Sequence, residues 1–414
     1  MEIEKDSRFL ILDDSRGGYV FYNGVKHFAC RLDRATLSIV NLIYTYGDLE
    51  IILKNIKKEH HGIVSEIFNK VKASAMLKTE DDEKRFDYRL SEQIPQQYYL
   101  HLTYACNLGC TYCYNKDIRT HRKQLEFTDW CKVIDKILQH AESIVLTGGE
   151  PFLNKDISQI ISYIKSSKPS VSIEIISNCM HDFETDFFRD IFLNINAVTF
   201  SCDSIRSTSQ ERLNFSPTRF IHNILYLRST FKDLNIGISS TFIKDSEGAL
   251  DELAEFAREN KCGARNVLLI PNSKDDTHLL PSVEAYSKRI ASQSVFRKIP
   301  YHQLYCGAAF GVCSIDPLGN IYPCQNMHYN RFLLGNIFNI NNIKDLFLSS
   351  RIRIWRSSLS VENIPTCNQC VVKYVCGAGC RASTFRLQGG ELQHPKVLCE
   401  HYKVDALNKI RSIP

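Results

Sequence analysis

Apolar and polar positions along this chain follow two periods, and the switches between them mark its elements. Residues 8–13, 19–22 and 25–32 read as short strands, with turns supplied by Arg16-Gly17-Gly18 and by Asn23-Gly24, a strong hairpin signal. Asp33 then stands where a helix cap is needed, ahead of Leu37, Ile39, Val40, Leu42 and Ile43 at helical spacing. Residues 49–56 and 63–76 read as two more helices. Three strands followed by three helices predict a winged-helix-like unit over residues 1–78. Residues 79–95 form a linker whose run Glu80-Asp81-Asp82-Glu83-Lys84-Arg85 is too charged to pack. From residue 98 strand-like segments (98–103, 143–147, 171–177, 197–202, 234–242, 266–270) alternate with amphipathic ones (128–140, 157–164, 185–193, 219–227, 249–257). Strand and helix in regular alternation predict a parallel α/β architecture. Periodicity does not separate an open sheet from a partial barrel, but in both the ligand site lies at the carboxyl ends of the strands. After residue 301 the regularity fades, and a helix over 402–410 closes the chain.

The chain has 414 residues, enough for two or three domains; its 44% hydrophobic and 23% charged residues suit a soluble globular protein. A net charge of +5 gives no reason to invoke nucleic acid. Glu2, Glu4, Lys5 and Asp6 interrupt any signal-peptide core, and no apolar run reaches membrane-spanning length, so a cytosolic protein without a membrane partner is expected. The sixteen cysteines then stand out. In a reducing compartment a disulfide framework is disfavoured, and clustered cysteines read as metal or iron–sulfur ligands. Three fall between positions 106 and 113 and eight between 306 and 399; the scattered Cys30, Cys131, Cys179, Cys202 and Cys262 read as small buried hydrophobes.

Cys106-Asn-Leu-Gly-Cys110-Thr-Tyr-Cys113 directly follows the first strand of the alternating region, so it lies on a loop at that strand's carboxyl end. Three thiolates can ligate three irons of a four-iron cluster and leave the fourth open to a small chelator. A zinc knuckle needs a fourth ligand nearby, and the next candidate, His121, is eight residues past Cys113. The CX3CX2C spacing, with Tyr112 before the last cysteine, resembles the signature of radical S-adenosylmethionine (SAM) enzymes. That family's reduced cluster passes an electron to SAM, which splits into methionine and a 5′-deoxyadenosyl radical. The resemblance implies a partial (β/α)6 barrel over residues 96–300, with Cys106, Cys110 and Cys113 as the catalytic cluster ligands. It extends, one motif per strand end, to Thr147-Gly148-Gly149-Glu150-Pro151, Ser177-Asn178 and Ser201-Cys202-Asp203. It implies that Gly148, Gly149 and Glu150 meet the amino group of SAM, and that Asp203 lies near its ribose and carboxylate. Tyr112, Ser177, Asn178 and Ser201 join the SAM-binding set, and Arg212 corresponds to a carboxylate-binding arginine. Cys179 stands where the family often has glycine, so a different backbone is expected there.

The later cysteines read Cys306-X12-Gly319-X4-Cys324, then Cys367-X2-Cys370-X5-Cys376-X3-Cys380, then Cys399. Residues 301–414 thereby resemble the SPASM extension of radical SAM enzymes, which implies two auxiliary four-iron clusters. By that pattern Cys306, Cys324 and Cys380 hold the first, with Cys313 as fourth ligand at a non-standard spacing. Cys367, Cys370, Cys376 and Cys399 hold the second. Sulfatase-maturing members carry an Asp directly after the second SPASM cysteine, where this chain has Gln325. Residues 1–78 resemble the PqqD-like element related to the pyrroloquinoline quinone peptide chaperone, which binds a leader peptide as an added strand.

These resemblances together imply a peptide-modifying oxidoreductase. It would take a hydrogen from a residue of a ribosomally made precursor peptide, held through its leader, and form an intrapeptide crosslink (cyclophane or thioether). An electron donor such as flavodoxin or ferredoxin is implied. Two other readings compete: a radical SAM maturase of a protein side chain, like the sulfatase maturases, and a zinc-binding winged-helix regulator. The acidic residues Glu2, Glu4, Asp6, Asp13 and Asp14 count against DNA. Tyr98, Tyr301, Tyr305 and Tyr322 are candidates for lining a substrate cavity, with core packing the stronger reading of each.

Overall fold

A computed structural model describes residues 8–14, 17–24, 26, 28–74, 76–77, 93–206, 211–293, 306–388 and 393–413. Several expectations therefore lie outside the described residues: the linker up to residue 92, the boundary near residue 300, Tyr301 and Tyr305, the turn residue Arg16 and the strand residue Val25. Glu2, Glu4 and Asp6 lie outside them as well.

Strands β1 (Phe9–Asp14), β2 (Gly18–Asn23) and β3 (Phe28–Leu32) form an antiparallel meander in the order β1-β2-β3. The Asp33 carboxylate accepts the Thr36 N–H at 2.7 Å and starts α1 (Arg34–Tyr46); Gly47, at φ +67°, ends it. Such a cap contributes about 1 kcal/mol. Asp48 caps α2 (Leu49–Lys54) in the same way, and α3 (His61–Ala73) follows. Strand alternation gives the small sheet two apolar faces. Phe9 and Phe21 pack with Val40, Ile43, Val64 and Val71 of the helices. Val20, Tyr22 and Ala29 pack on the other side against Val372, Val375, Ala406 and Ile410, far along the chain.

Six parallel strands then run in sequence order, each beside the last: β4 (Gln97–Thr103), β5 (Ser143–Gly148), β6 (Ser172–Ser177), β7 (Ala197–Ser201), β8 (Asn235–Phe242) and β9 (Gly263–Leu268). Helices α4 (Phe127–Leu138), α5 (Ile157–Ser167), α6 (Asp186–Leu193), α7 (Pro217–Thr230) and α8 (Glu247–Glu259) connect them, and α9 (Val283–Gln293) follows β9. This is the expected partial barrel. Its wall is continuous apolar packing: Leu146, Ile173, Val198 and Ile236 of the strands meet Trp130, Ile134, Ile160 and Ile224 of the helices, all buried. Each such side chain contributes roughly 1.5–3 kcal/mol of transfer free energy. The last strand starts three residues earlier than the apolar pattern suggested, because Gly263–Leu268 pairs with β8 through residues that are themselves exposed.

The sheet also continues past β4. A hairpin of β10 (Val312–Ile315) and β11 (Asn320–Tyr322), followed by β12 (Gly335–Asn336), extends it to nine strands, with β10 parallel to β4. Asp316 forms the hairpin turn by accepting the N–H groups of Leu318 and Asn320, both at 2.8 Å. Helices α10 (Ile343–Leu348), α11 (Ser350–Ser358), α12 (Lys373–Cys376), α13 (Arg381–Leu387) and α14 (Cys399–Arg411) complete the chain. Tyr98 and Tyr322 are both buried, as core packing requires. Among the described residues no helix is long and apolar enough to cross a membrane.

Candidate active site

The loop that carries the first three cysteines leaves β4 and is stitched to the end of β5. Gly149 N donates to Thr103 O at 2.7 Å, and Glu150 N to Ala105 O at 2.8 Å. Only glycine fits this seam. A Cβ on Gly148, whose φ is +147°, would stand 2.2 Å from Thr103 O, and one on Gly149 would stand 2.2 Å from Ala105 O. A second strap comes from residues 211–213: Gly109 N donates to Leu213 O at 3.1 Å and Thr111 N to Glu211 O at 2.9 Å.

Cys106, Cys110 and Cys113 line one cavity of about 310 Å³. Tyr112, Gly148, Gly149, Ser177, Asn178, Ser201 and Arg212 line it too, so ten of the twelve expected residues meet around one space. Glu150 and Asp203 do not. The fully buried Glu150 carboxylate accepts the Ser177 hydroxyl at 2.9 Å, Asn178 N at 2.8 Å and Phe152 N at 3.3 Å. Burial lifts its pKa to about 7 against the pull of those hydrogen bonds. Glu150 thus holds the β6 end in place beside the cavity. Asp203 is tied to residues that line the cavity. Its oxygens take the Arg212 Nε at 2.9 Å and Nη2 at 3.2 Å, Thr241 N at 2.9 Å and the Tyr112 hydroxyl. It holds Arg212 and Tyr112, which line the space.

Cys179 keeps the backbone that a glycine would have, at φ +68°, contrary to the expected change. The strain of a non-glycine residue there is of order 1 kcal/mol or more. Asn223 of α7 secures the turn by donating to Cys179 O at 2.9 Å and His181 O at 2.8 Å. Sequence reading missed Asn223, and also Ser240, Thr241 and Asn326, which line the cavity. The polar run Ser239-Ser240-Thr241 at the end of an apolar strand was the available signal.

The thiols suit a cluster. Burial pushes Cys110 up to about 11 and raises Cys106 and Cys113, so loading metal must release their protons. Cys106 Sγ accepts Leu108 N at 3.4 Å and Asn178 Nδ2 at 3.8 Å, and Cys113 Sγ accepts Asn115 N at 3.4 Å; amide donors of this kind stabilise thiolates on iron. Among the described residues no three Cys, His, Asp or Glu side chains converge as one metal ion would require.

In the C-terminal region Cys367, Cys370, Cys376 and Cys399 line a cavity of about 280 Å³. His394 Nε2 stands 3.0 Å from Cys399 Sγ, a contact that the sequence did not announce. Cys306, Cys324 and Cys380 pack around Ala308, Tyr322, Met327 and Ala382. Cys313 does not join them. It sits fully buried in the barrel core, and its charged neighbour is Arg356. Strand alternation explains the separation: Ser314 faces His328 at 2.8 Å, so Cys313 points to the other side of β10. The scattered cysteines divide, with Cys179 and Cys202 buried and Cys30, Cys131 and Cys262 partly exposed.

Comparison with known proteins agrees with this geometry. The radical SAM superfamily model matches residues 100–257, and the SPASM iron–sulfur cluster-binding domain matches residues 306–371. The mycofactocin maturase MftC of Mycobacterium tuberculosis is 24% identical over 343 residues, covering 76% of this chain and 85% of that protein. Streptococcus suis SuiB bound to its precursor peptide SuiA superposes with a TM-score of 0.58 at 16% identity, over 95% of this chain and 98% of that one. The anSMEcpe structure with AdoMet and a peptide gives 0.60 at 14% identity, over 75% and 95%. This chain is a radical SAM enzyme with a SPASM domain, and its cofactors are four-iron clusters and S-adenosylmethionine.

Proposed function

We propose that this enzyme matures a ribosomally made precursor peptide in the cytoplasm, recognising the leader through residues 1–78 and forming an intrapeptide crosslink in the core. The observation that carries the reading is the contact between the two cysteine regions: Asn326, two residues past Cys324, lines the cavity of Cys106, Cys110 and Cys113. A crosslink formed by losing two hydrogens needs both a hydrogen-abstracting site and an electron acceptor beside it. When bound, the groups held by these cysteines supply that abstraction from SAM and that acceptor. In this reading Cys106, Cys110 and Cys113 hold the SAM-directed cluster, Cys306, Cys324 and Cys380 a first auxiliary cluster, and Cys367, Cys370, Cys376 and Cys399 a second.

The chain's own residues set the geometry. The backbone at Gly148 and Gly149 admits a ligand closely. Ser177, Asn178, Ser201 and Ser240 offer hydrogen-bonding groups to the amino acid and ribose parts of SAM, and Arg212 offers a cation to its carboxylate. Gln325 is a neutral amide and cannot act as the base that sulfatase maturation requires. The names of the relatives support a peptide substrate: MftC is a maturase, and SuiB was solved with its precursor peptide. An electron donor such as flavodoxin or ferredoxin completes the system.

The test is anaerobic reconstitution with SAM, a reductant and each short peptide whose reading frame is found beside this gene. A product lighter by two hydrogens, with tandem mass spectra showing two residues joined, is expected. SAM cleavage that leaves every such peptide unchanged overturns the peptide reading.

A further inference from the structure

The two cysteine regions are joined by a clasp built from one asparagine and one arginine. Asn272 follows β9 in a turn fixed by Asp276, whose carboxylate accepts Asn272 N at 2.9 Å and Ser273 N at 3.1 Å. The Asn272 amide nitrogen donates to Tyr112 O at 3.0 Å and to Cys113 O at 3.1 Å. Its amide oxygen accepts Arg386 Nη1 at 2.9 Å, and Arg386 Nη2 donates to Asn326 O at 2.6 Å. One continuous set of hydrogen bonds therefore runs from the last cysteine of the first loop to the segment just past Cys324.

Arg386 sits on α13, six residues after Cys380. Its guanidinium carbon lies 6.0 Å from the Tyr114 ring centre and 5.3 Å from that of Tyr329, so aromatic faces from both regions wall it in. Its guanidinium is one hydrogen-bonded residue away from the Cys113 carbonyl and bonds directly to the carbonyl two residues past Cys324. The planar fork of arginine matches two separate acceptors, which the point charge of lysine cannot do.

We propose that Arg386 is a positioning residue that, through Asn272, locks the Cys113 loop to the Cys324 loop and places one positive charge between the two cluster sites. The proposal rests on the reading that both cysteine sets carry clusters. A nearby cation favours the reduced, more negative state of a cluster and so raises its potential.

The test is a redox titration of the reconstituted holoenzyme followed by electron paramagnetic resonance, with SAM affinity measured separately. Arg386→Gln should move the potentials of both the SAM-responsive signal and a C-terminal signal to more negative values. Arg386→Lys should return both toward wild type. Asn272→Ala keeps the charge and frees only the first loop. It should weaken SAM binding about tenfold, the loss of one to two hydrogen bonds, and leave the C-terminal potential unmoved. Fully iron-loaded Arg386→Gln enzyme with wild-type potentials, or Asn272→Ala enzyme with wild-type SAM affinity, overturns the proposal. A wild-type protein without any SAM-responsive signal instead overturns the reading beneath it.

Discussion

Asp203 grips Arg212 with both carboxylate oxygens, at 2.9 and 3.2 Å, and the two side chains are only 4% and 7% exposed. A buried pair of this kind is costly to break from one side, because the surviving charge has no water to turn to. Asp203→Asn should therefore lower the stability of the cluster-free protein by roughly 3–5 kcal/mol, measured by urea unfolding. It should also release Tyr112 and Arg212 from their orientation. A loss below about 1 kcal/mol, the range of surface pairs, would show that solvent reaches the pair.

The glycine seam makes a prediction about metal content. Gly149→Ala forces a Cβ to within 2.2 Å of a backbone carbonyl, and the loop ahead of Cys106 must move. Iron per reconstituted chain should fall from about twelve to about eight, since the C-terminal cysteines are untouched. Gly62→Ala is the control. Nothing lies within 4 Å of its added Cβ, and α3 should gain roughly 0.5–1 kcal/mol.

Cys313 gives the opposite test. Its burial in the barrel core, away from Cys306, Cys324 and Cys380, predicts that Cys313→Ala keeps iron at about twelve per chain. The cost should be that of a small core cavity, about 1–2 kcal/mol. Iron falling to about eight would restore Cys313 as a ligand.

These cases show what the sequence carried and what it hid. The barrel strands and helices were legible because their apolar residues repeat over five or more positions, and the cysteines because their spacing is itself the signal. Strands β10–β12, of four, three and two residues, are too short to show any period. The supporting role of Glu150 and Asp203 was hidden for another reason. Whether a strand-end carboxylate faces a cavity or braces its wall depends on the neighbouring strand's backbone, as the bonds to Asn178 N and Thr241 N show. Cys313 was misplaced because spacing was weighed without the alternation of its own strand.

Glu150 should leave a mark on the pH dependence of stability. Its carboxyl titrates at about 7 when folded, raised from the ordinary 4.5 by burial. Between those values the folded protein keeps a proton that the unfolded chain has released. Stability therefore falls as pH rises through the window, and the penalty is complete above it. The full effect is about 3 kcal/mol at 1.36 kcal/mol per unit. Glu150→Gln removes the titration. The unfolding free energies of cluster-free wild type and variant should diverge in the variant's favour from pH 5 to pH 8. Parallel profiles would mean that water reaches the carboxyl.

The amino-terminal sheet is buried on both faces, which bears on any attempt to test leader binding by truncation. Val20 and Tyr22 are inaccessible because they cover Val375, Ala406 and Ile410, beside Cys370 and Cys376. Arg31 also reaches across to the Arg411 carbonyl at 3.0 Å. Removing residues 1–78 would uncover this apolar surface, and exposed patches of that kind drive association. The truncated enzyme should show a larger mass by light scattering and a weaker second auxiliary cluster signal, whatever becomes of the leader. Val20→Asp should do the same in the full chain, since it buries an unpaired charge in that seam. A truncated protein that stays monodisperse with full iron would show that the sheet merely rests on α14, and peptide binding to it would then report on recognition alone.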